Sequence, residues 1–394
     1  MSRRERVVVV GGGTGGAILA NLLPLSRYEV TVVEPRRYHY YHPAYIYIAF
    51  EGLRLEVKKP VEDVLKPGVN LVRDRAVSIN LDERYVETSS GRRLEYDYLV
   101  VAAGARRDYD ALPGHRQLVR MFGDFHSEEN AWKLWRTLTS IREGTFVIVV
   151  SHPVQICPPC PLKAAFLSSR LFRKRGLKGK VRVKLVVPYP HPYPAIAISN
   201  IVEPMFEREG VEVVKVFLLE DIELGEKKLI GYGGAELEFD VAVLTPPIKG
   251  PDIKFSTDSV LGDDGFIKVD RYTGQMPGYD DAYAIGDAAE IPTAKTGTTA
   301  HLMAEVVAER IQGYGSRYDG RTNCALITGD DALFVISSYE HPPVPVRPTR
   351  FKRLLTDVFT KAYWKIVRNP AAWRPIVRSY LEATKPERLG EKGW

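Results

Sequence analysis

The chain has 394 residues, 45% hydrophobic and 26% charged, which is enough for packed cores in two or three domains of roughly 100–200 residues each. No apolar run reaches the ~18–20 residues of a transmembrane helix, and three cysteines are too few for a disulfide framework, so pairing among them is expected to be chemical rather than structural. The net charge of +6 equals that of residues 351–394 alone, with ten Lys/Arg against four Asp/Glu; no nucleic-acid motif accompanies it, so DNA and RNA are not expected partners.

From the N-terminus, Met1-Ser-Arg-Arg-Glu-Arg runs straight into Val7–Val10. That stretch is too short for a signal-peptide core and has no small-residue cleavage site behind it, which points to a cytoplasmic chain. The continuous β-branched run predicts a buried parallel strand. Gly11-Gly12-Gly13-Thr14-Gly15-Gly16 follows, then a helical stretch over Ala17–Leu23, a second strand over Glu29–Val33, and Glu34. Gly11, Gly13 and Gly16 match G-x-G-x-x-G, whose glycines give a tight turn, close backbone approach to a pyrophosphate, and close helix–strand packing. The helix start, with Thr14, offers N–H groups to phosphate, and Glu34 is placed to accept from an adenosine ribose. Seven Asn and four Gln are few, a depletion that fits a thermophile.

Residues 93–104 form a strand ending in Ala102-Ala103-Gly104, and Asp281–Ala289 forms another ending in Gly286-Asp287. Both resemble signatures of two-dinucleotide flavoproteins. That resemblance implies FAD, with Ala103 and Gly104 where the chain leaves the first half of the FAD domain. It also implies Asp287 on the ribityl chain and a following helix aimed at the flavin. Pro43, in the aromatic stretch Tyr38–Tyr47, is a candidate flavin contact by the same resemblance; an aromatic core patch is the other reading. Val77 is a further candidate cofactor contact.

The second half departs from this pattern. Thr145–Val150 reads as another buried strand, but Ser151-His-Pro-Val-Gln-Ile-Cys-Pro-Pro-Cys-Pro161 replaces a second glycine fingerprint. Proline has no N–H to give a phosphate, and side chains block close backbone approach. A nicotinamide dinucleotide is therefore not the expected electron source.

Cys157-Pro158-Pro159-Cys160-Pro161, Thr322-Asn323-Cys324 and Ala294-Lys295-Thr296-Gly297 together resemble the sulfide:quinone oxidoreductases and the flavoprotein subunit of flavocytochrome c sulfide dehydrogenase, over roughly residues 5–340. The resemblance implies that Cys157 and Cys324 flank the flavin, with Cys157 carrying a persulfide and Cys324 acting as the flavin-side thiolate. It puts Lys295 near the flavin, where it would stabilise negative charge. Whether Cys157 or Cys160 pairs with Cys324 stays open, and Cys160 reads first as inert or auxiliary. Where relatives often carry Tyr-Glu after the first cysteine, Leu162-Lys163 stand here, removing an acid that would handle protons. No cysteine lies between Met1 and Ile156, so a covalent flavin link through an earlier cysteine is not available. The eight histidines form no ligand pattern with the cysteines, and no metal is expected.

In the tail, Phe351, Leu354, Leu355, Val358, Phe359, Ala362, Ile366 and Val367 follow helical spacing, with Lys352, Arg353, Lys361, Lys365 and Arg368 around them. Asn369-Pro370 breaks the helix, and Trp373, Ile376, Val377, Tyr380 and Leu381 begin a second, near Arg374 and Arg378. Basic amphipathic helices with Trp364 and Trp373 read as a membrane-surface anchor over 351–394; packing on the core or on another subunit is the other reading. The expected architecture is α/β, with two glutathione-reductase-like Rossmann domains. The FAD domain spans 1–107 and 256–325, and the second domain 108–255. An interface segment covers 326–394. The expected function is FAD-dependent oxidation of sulfide to sulfur or polysulfide, with electrons passed to a quinone at the cytoplasmic membrane surface as a peripheral protein. Rival readings are an NAD(P)H:disulfide reductase, an NADH:quinone oxidoreductase, a cytochrome c-linked sulfide dehydrogenase, and a non-catalytic flavoprotein subunit. Whether the chain forms a homo-oligomer is open.

Overall fold

The computed structural model describes residues 3–383, so the last part of the expected anchor, 384–394, lies outside the described residues. Two parallel sheets organise the chain. The first runs in the order Ala282–Ala284, Tyr98–Val101, Glu5–Val10, Tyr28–Val33, Asn70–Val72. The second runs Val211–Val214, Val181–Val186, Gly144–Val150, Val241–Thr245. Their central strands are continuous apolar runs because both faces are covered, which removes any polar alternation. In each sheet the first strand in the chain, Glu5–Val10 or Gly144–Val150, has its successor on one side and a much later strand on the other. That is a topological switch point, where an open α/β sheet leaves a crevice beyond the carboxyl end of its strands. The two halves thus present equivalent crevices after Val10 and after Val150.

Smaller antiparallel sheets complete the frame. One, Thr322–Ile327/Ala332–Ser337/Val344–Thr349, carries Cys324. The helix Tyr45–Glu51 comes early in the chain but packs in the core of the second sheet, with Phe50 6.5 Å from Phe146 between ring centroids. The helix expected after Gly286-Asp287 starts some residues later. No helix follows Gly286-Asp287 directly: Gly286–Ala288 is a single 3-10 turn followed by the short strand Ala289–Glu290. The helix begins only at Gly297, where the Thr296 side chain accepts from the Thr299 N–H and caps it. Such a cap stabilises by about 1 kcal/mol.

The tail forms two helices, Arg350–Arg368 and Pro370–Ala383, meeting at Asn369. They divide the apolar stripe between two environments. Val367 is buried against the first core, and its carbonyl accepts from Asn21. Leu355 and Tyr380 pack against Phe334 and Ile336, and Phe359 lies against Tyr380. Phe351, Leu354, Val358 and Ile376 remain more than half exposed. Several basic side chains read as lipid-facing instead pair within the protein. Arg353 binds Glu51, which also binds Arg170 of the helix Cys160–Lys174; Arg374 and Arg378 bind Glu305 and Glu309. Arg353 and Arg374 are largely shielded, and charges removed from water need partners, whereas Arg378 stays exposed. Among the described residues no helix is long and apolar enough to cross a membrane.

Candidate active site

The first crevice is built from its glycines. Gly11 has φ +107°, and a Cβ there would lie 2.5 Å from the Ala102 carbonyl oxygen. A Cβ on Gly16 would lie 1.9 Å from the Gly11 oxygen. These two positions are closed by protein backbone. Gly13 differs: a Cβ there would meet nothing within 4 Å, so its freedom from side chain serves the open space at the start of the helix Thr14–Leu22. A phosphate group fits that cradle. Glu34 is buried and accepts from the Gly12 N–H at 2.8 Å and from Arg36 Nε at 2.9 Å. Burial opposes its ionisation, but Arg36 and the backbone donors outweigh it and hold the carboxyl below its ordinary range.

Around this loop, Ala103 is exposed, and a Cβ on Gly104 would meet nothing within 4 Å. Pro43 is exposed in the 3-10 turn His42–Ala44, and Val77 stands at a register shift in the strand Ala76–Asn80. On the facing side, burial raises the Asp287 carboxyl above its ordinary range, with Lys295 and Arg107 opposing. Lys295 is buried and donates to the Ala289 carbonyl, with Nζ 4.4 Å from the centre of the Phe266 ring. Burial pulls its amine down to about 8, against the pull of Asp287 and Glu290.

The second crevice holds sulfur. Cys157 has φ +55°, an uncommon conformation for a side chain-bearing residue. The Lys295 carbonyl accepts its N–H at 3.2 Å, which joins the two halves of the site. Cys160 closes the Pro158-Pro159 turn by donating its N–H to the Cys157 carbonyl at 2.7 Å, and it opens the helix Cys160–Lys174. Prolines at both middle positions of a C-x-x-C loop restrict its conformations. Here Cys157 and Cys160 are joined as a disulfide, because pre-set proline φ values fold the turn that brings them together. Cys324 is a free thiol with its Sγ 3.9 Å from that of Cys157. A cleft of about 650 Å³ opens here, lined by Cys324, Pro158, Pro159, Tyr193, Lys295 and His341 among others.

Sequence reasoning missed two residues. Lys163 entered only as a missing acid, yet its buried amine lies 3.6 Å from Cys324 Sγ and 3.8 Å from Cys157 Sγ. The available signal was helical spacing: Pro-Pro-Cys-Pro marks a helix start, and three residues onward Lys163 shares a face with Cys160. His39 belongs to no local motif. It is buried and bridges the Gly12 carbonyl, 2.8 Å from Nδ1, to the Tyr363 hydroxyl, 2.6 Å from Nε2. The Tyr363 hydroxyl is 2.7 Å from Thr14 Oγ1, and its ring stacks on Tyr41 at 4.1 Å. The tail helix is therefore pinned to the glycine loop, a contact spanning 349 residues that no local pattern announces.

The model of the pyridine nucleotide-disulphide oxidoreductase family matches residues 5–147. Mouse mitochondrial sulfide:quinone oxidoreductase is 26% identical over 391 residues, covering 92% of this chain and 86% of that protein. The sulfide-quinone reductase of Aquifex aeolicus is also 26% identical, covering 93% and 91%. The chain is a homologue of the sulfide:quinone oxidoreductases. It is a flavin-dependent oxidoreductase. The crystal structure of the Aquifex aeolicus sulfide:quinone oxidoreductase superposes with a TM-score of 0.83, covering 96% of this chain and 95% of that one at 22% identity. The two chains share one fold.

Proposed function

We propose that this homologue oxidises sulfide to polysulfide and delivers the electrons, through FAD, to a membrane quinone. The observation that carries the reading is the group of three sulfurs beside the Lys163 amine, set where a second dinucleotide cradle would otherwise stand. Hydrosulfide attacks Cys157 by thiol–disulfide exchange and leaves a persulfide on it. Lys163 stabilises negative charge on the Cys157 persulfide and on the Cys324 thiolate. Cys324 is the thiolate from which the electron pair departs. FAD, when bound along Gly11–Gly16, Glu34, Gly104 and Asp287, supplies a two-electron acceptor that a quinone can reoxidise. Lys295, cationic below about pH 8, offsets negative charge developed there. The exposed Phe351, Leu354 and Val358 dock the protein on the bilayer surface, where the quinone resides.

Anaerobic flavin bleaching tests this. Sulfide should bleach the flavin and a quinone analogue restore it, whereas NADH and NADPH should not bleach it. Cys324→Ala should slow bleaching by at least about 10³-fold, as expected on removing an essential nucleophile. Bleaching by a nicotinamide alone would turn the assignment toward an NAD(P)H-dependent reductase.

A further inference from the structure

Cys160 is the residue that the two-cysteine scheme leaves without a task. It is bonded to Cys157, while Cys324 stands 3.9 Å from Cys157 on the other arm. Cys157 is thus the central sulfur of three. The anion-stabilising groups divide accordingly. Lys163 Nζ lies near Cys157 and Cys324. Cys160 is the first residue of a fifteen-residue helix, where the positive end of the helix favours a thiolate. When hydrosulfide opens the disulfide at Cys157, Cys160 departs as a thiolate at that stabilising end, while Lys163 faces the persulfide left on Cys157. Incoming hydrosulfide bonds to Cys157.

The turn also sets the return step. Pro158 and Pro159, closed by the Cys160 N–H to Cys157 carbonyl bond, hold the two side chains together whether or not they are bonded. That arrangement gives Cys160 a high effective concentration at Cys157. The cleft beside Pro158, Pro159 and Cys324 offers the attached sulfur chain a way out. We infer that Cys160 is the resolving cysteine: its thiolate attacks Cys157 Sγ, expels the bound sulfur chain as polysulfide, and restores the disulfide that the next hydrosulfide opens.

The inference rests on the proposed sulfide oxidation. Hydrosulfide opening breaks the Cys157–Cys160 bond and forms a persulfide on Cys157, a thiolate on Cys160 and a proton. Joining that persulfide to the Cys324 thiolate releases one electron pair, which the flavin accepts. A second hydrosulfide opens this bridge at Cys324, frees its thiolate and a proton, and leaves two sulfane sulfurs on Cys157. Cys160 then displaces them as the disulfide dianion, and the leaving sulfur takes the electron pair of the broken bond. In sum, two hydrosulfides become one dianion, two protons and the transferred pair.

The test uses the full-length holoenzyme. During turnover with sulfide and a quinone analogue, alkylation and peptide mass mapping should find Cys160 alkylated while Cys157 carries added sulfur. Cys160→Ser should lose about tenfold or more in steady-state turnover, as expected when release becomes limiting. With no Cys157–Cys160 bond to open, the variant can load sulfur only after Cys157 and Cys324 join by passing an electron pair to the flavin. It should then retain sulfur on Cys157 and be rescued by sulfite or cyanide, which remove sulfane sulfur and let that bond re-form. A Cys157–Cys160 peptide that stays disulfide-bonded throughout turnover would overturn the inference, as would a Cys160→Ser enzyme that releases sulfur at the parent rate. Absence of flavin bleaching by sulfide in the parent protein would instead refute the proposed function. Mapping the Cys157–Cys160 peptide after sulfide addition still reads the exchange separately.

Discussion

The two crevices begin from one plan and end in different chemistry. Each lies beyond a buried central strand, at a switch point, facing the start of a helix. After Val10 the chain is stripped of side chains, and Gly13 leaves open space at the helix start. After Val150 the chain is filled with prolines and cysteines, and Cys160 occupies the helix start itself. A helix N-terminus stabilises negative charge whatever atom bears it. The first half leaves that end free for phosphate, and the second sets its own sulfur there. Exchanging glycine for Cys-Pro-Pro-Cys changes the anion held without changing the fold that holds it.

Substitutions at either crevice separate the two roles. The largest effect is expected from Gly13→Val. The added side chain enters open space, so the fold should persist with an unchanged melting temperature, yet the purified protein should be colourless. Gly16→Ala, whose Cβ would meet the Gly11 oxygen, should instead lower the melting temperature. If Gly13→Val keeps its full flavin content, the first crevice is not the cradle.

In the second crevice, Lys163→Met should slow flavin reduction by sulfide by about 10²-fold, the usual scale for removing one electrostatic stabiliser. Lys163→Arg, which keeps the cation, should recover part of the rate. An unchanged rate would remove Lys163 from the sulfur chemistry.

Acid should weaken the first crevice through His39. Burial lowers its pKa to about 4 from an ordinary 6.5, so the folded state favours the neutral ring. Its contribution is present above pH 6.5 and is lost as pH falls toward about 4. The loss is on the order of 3 kcal/mol at about 1.4 kcal/mol per pKa unit. Thermal melts of parent and His39→Gln across this window should converge at low pH; parallel curves would contradict the assignment.

The smallest effect concerns the tail. Replacing Phe351, Leu354 and Val358 together by Ser should cut binding to anionic vesicles by at least about tenfold, given the apolar area lost. Flavin content and melting temperature should hold, since these side chains are exposed. Unaltered vesicle binding would show that this stripe is not the lipid contact.

Much of this molecule is legible in order along the chain. Val7–Val10, the glycines and Glu34 announce the first crevice because strand, turn and helix are adjacent and their periodicities are local. The break at Asn369-Pro370 and the absence of a second glycine fingerprint are equally local. What spans long separations is not written that way. Lys163 meets Cys324 across 161 positions, and Tyr363 meets Thr14 across 349. The tail's single apolar stripe divides into a packed side and an exposed side only because Phe334, Ile336 and Asn21 are there to receive part of it. The partner of Cys157 likewise needed the folded turn, since the prolines that restrict the loop also set the geometry that joins it to Cys160. Sequence determined the elements and their chemistry, because those depend on neighbours along the chain. Tertiary structure decided which charges meet which sulfurs, because that depends on neighbours in space.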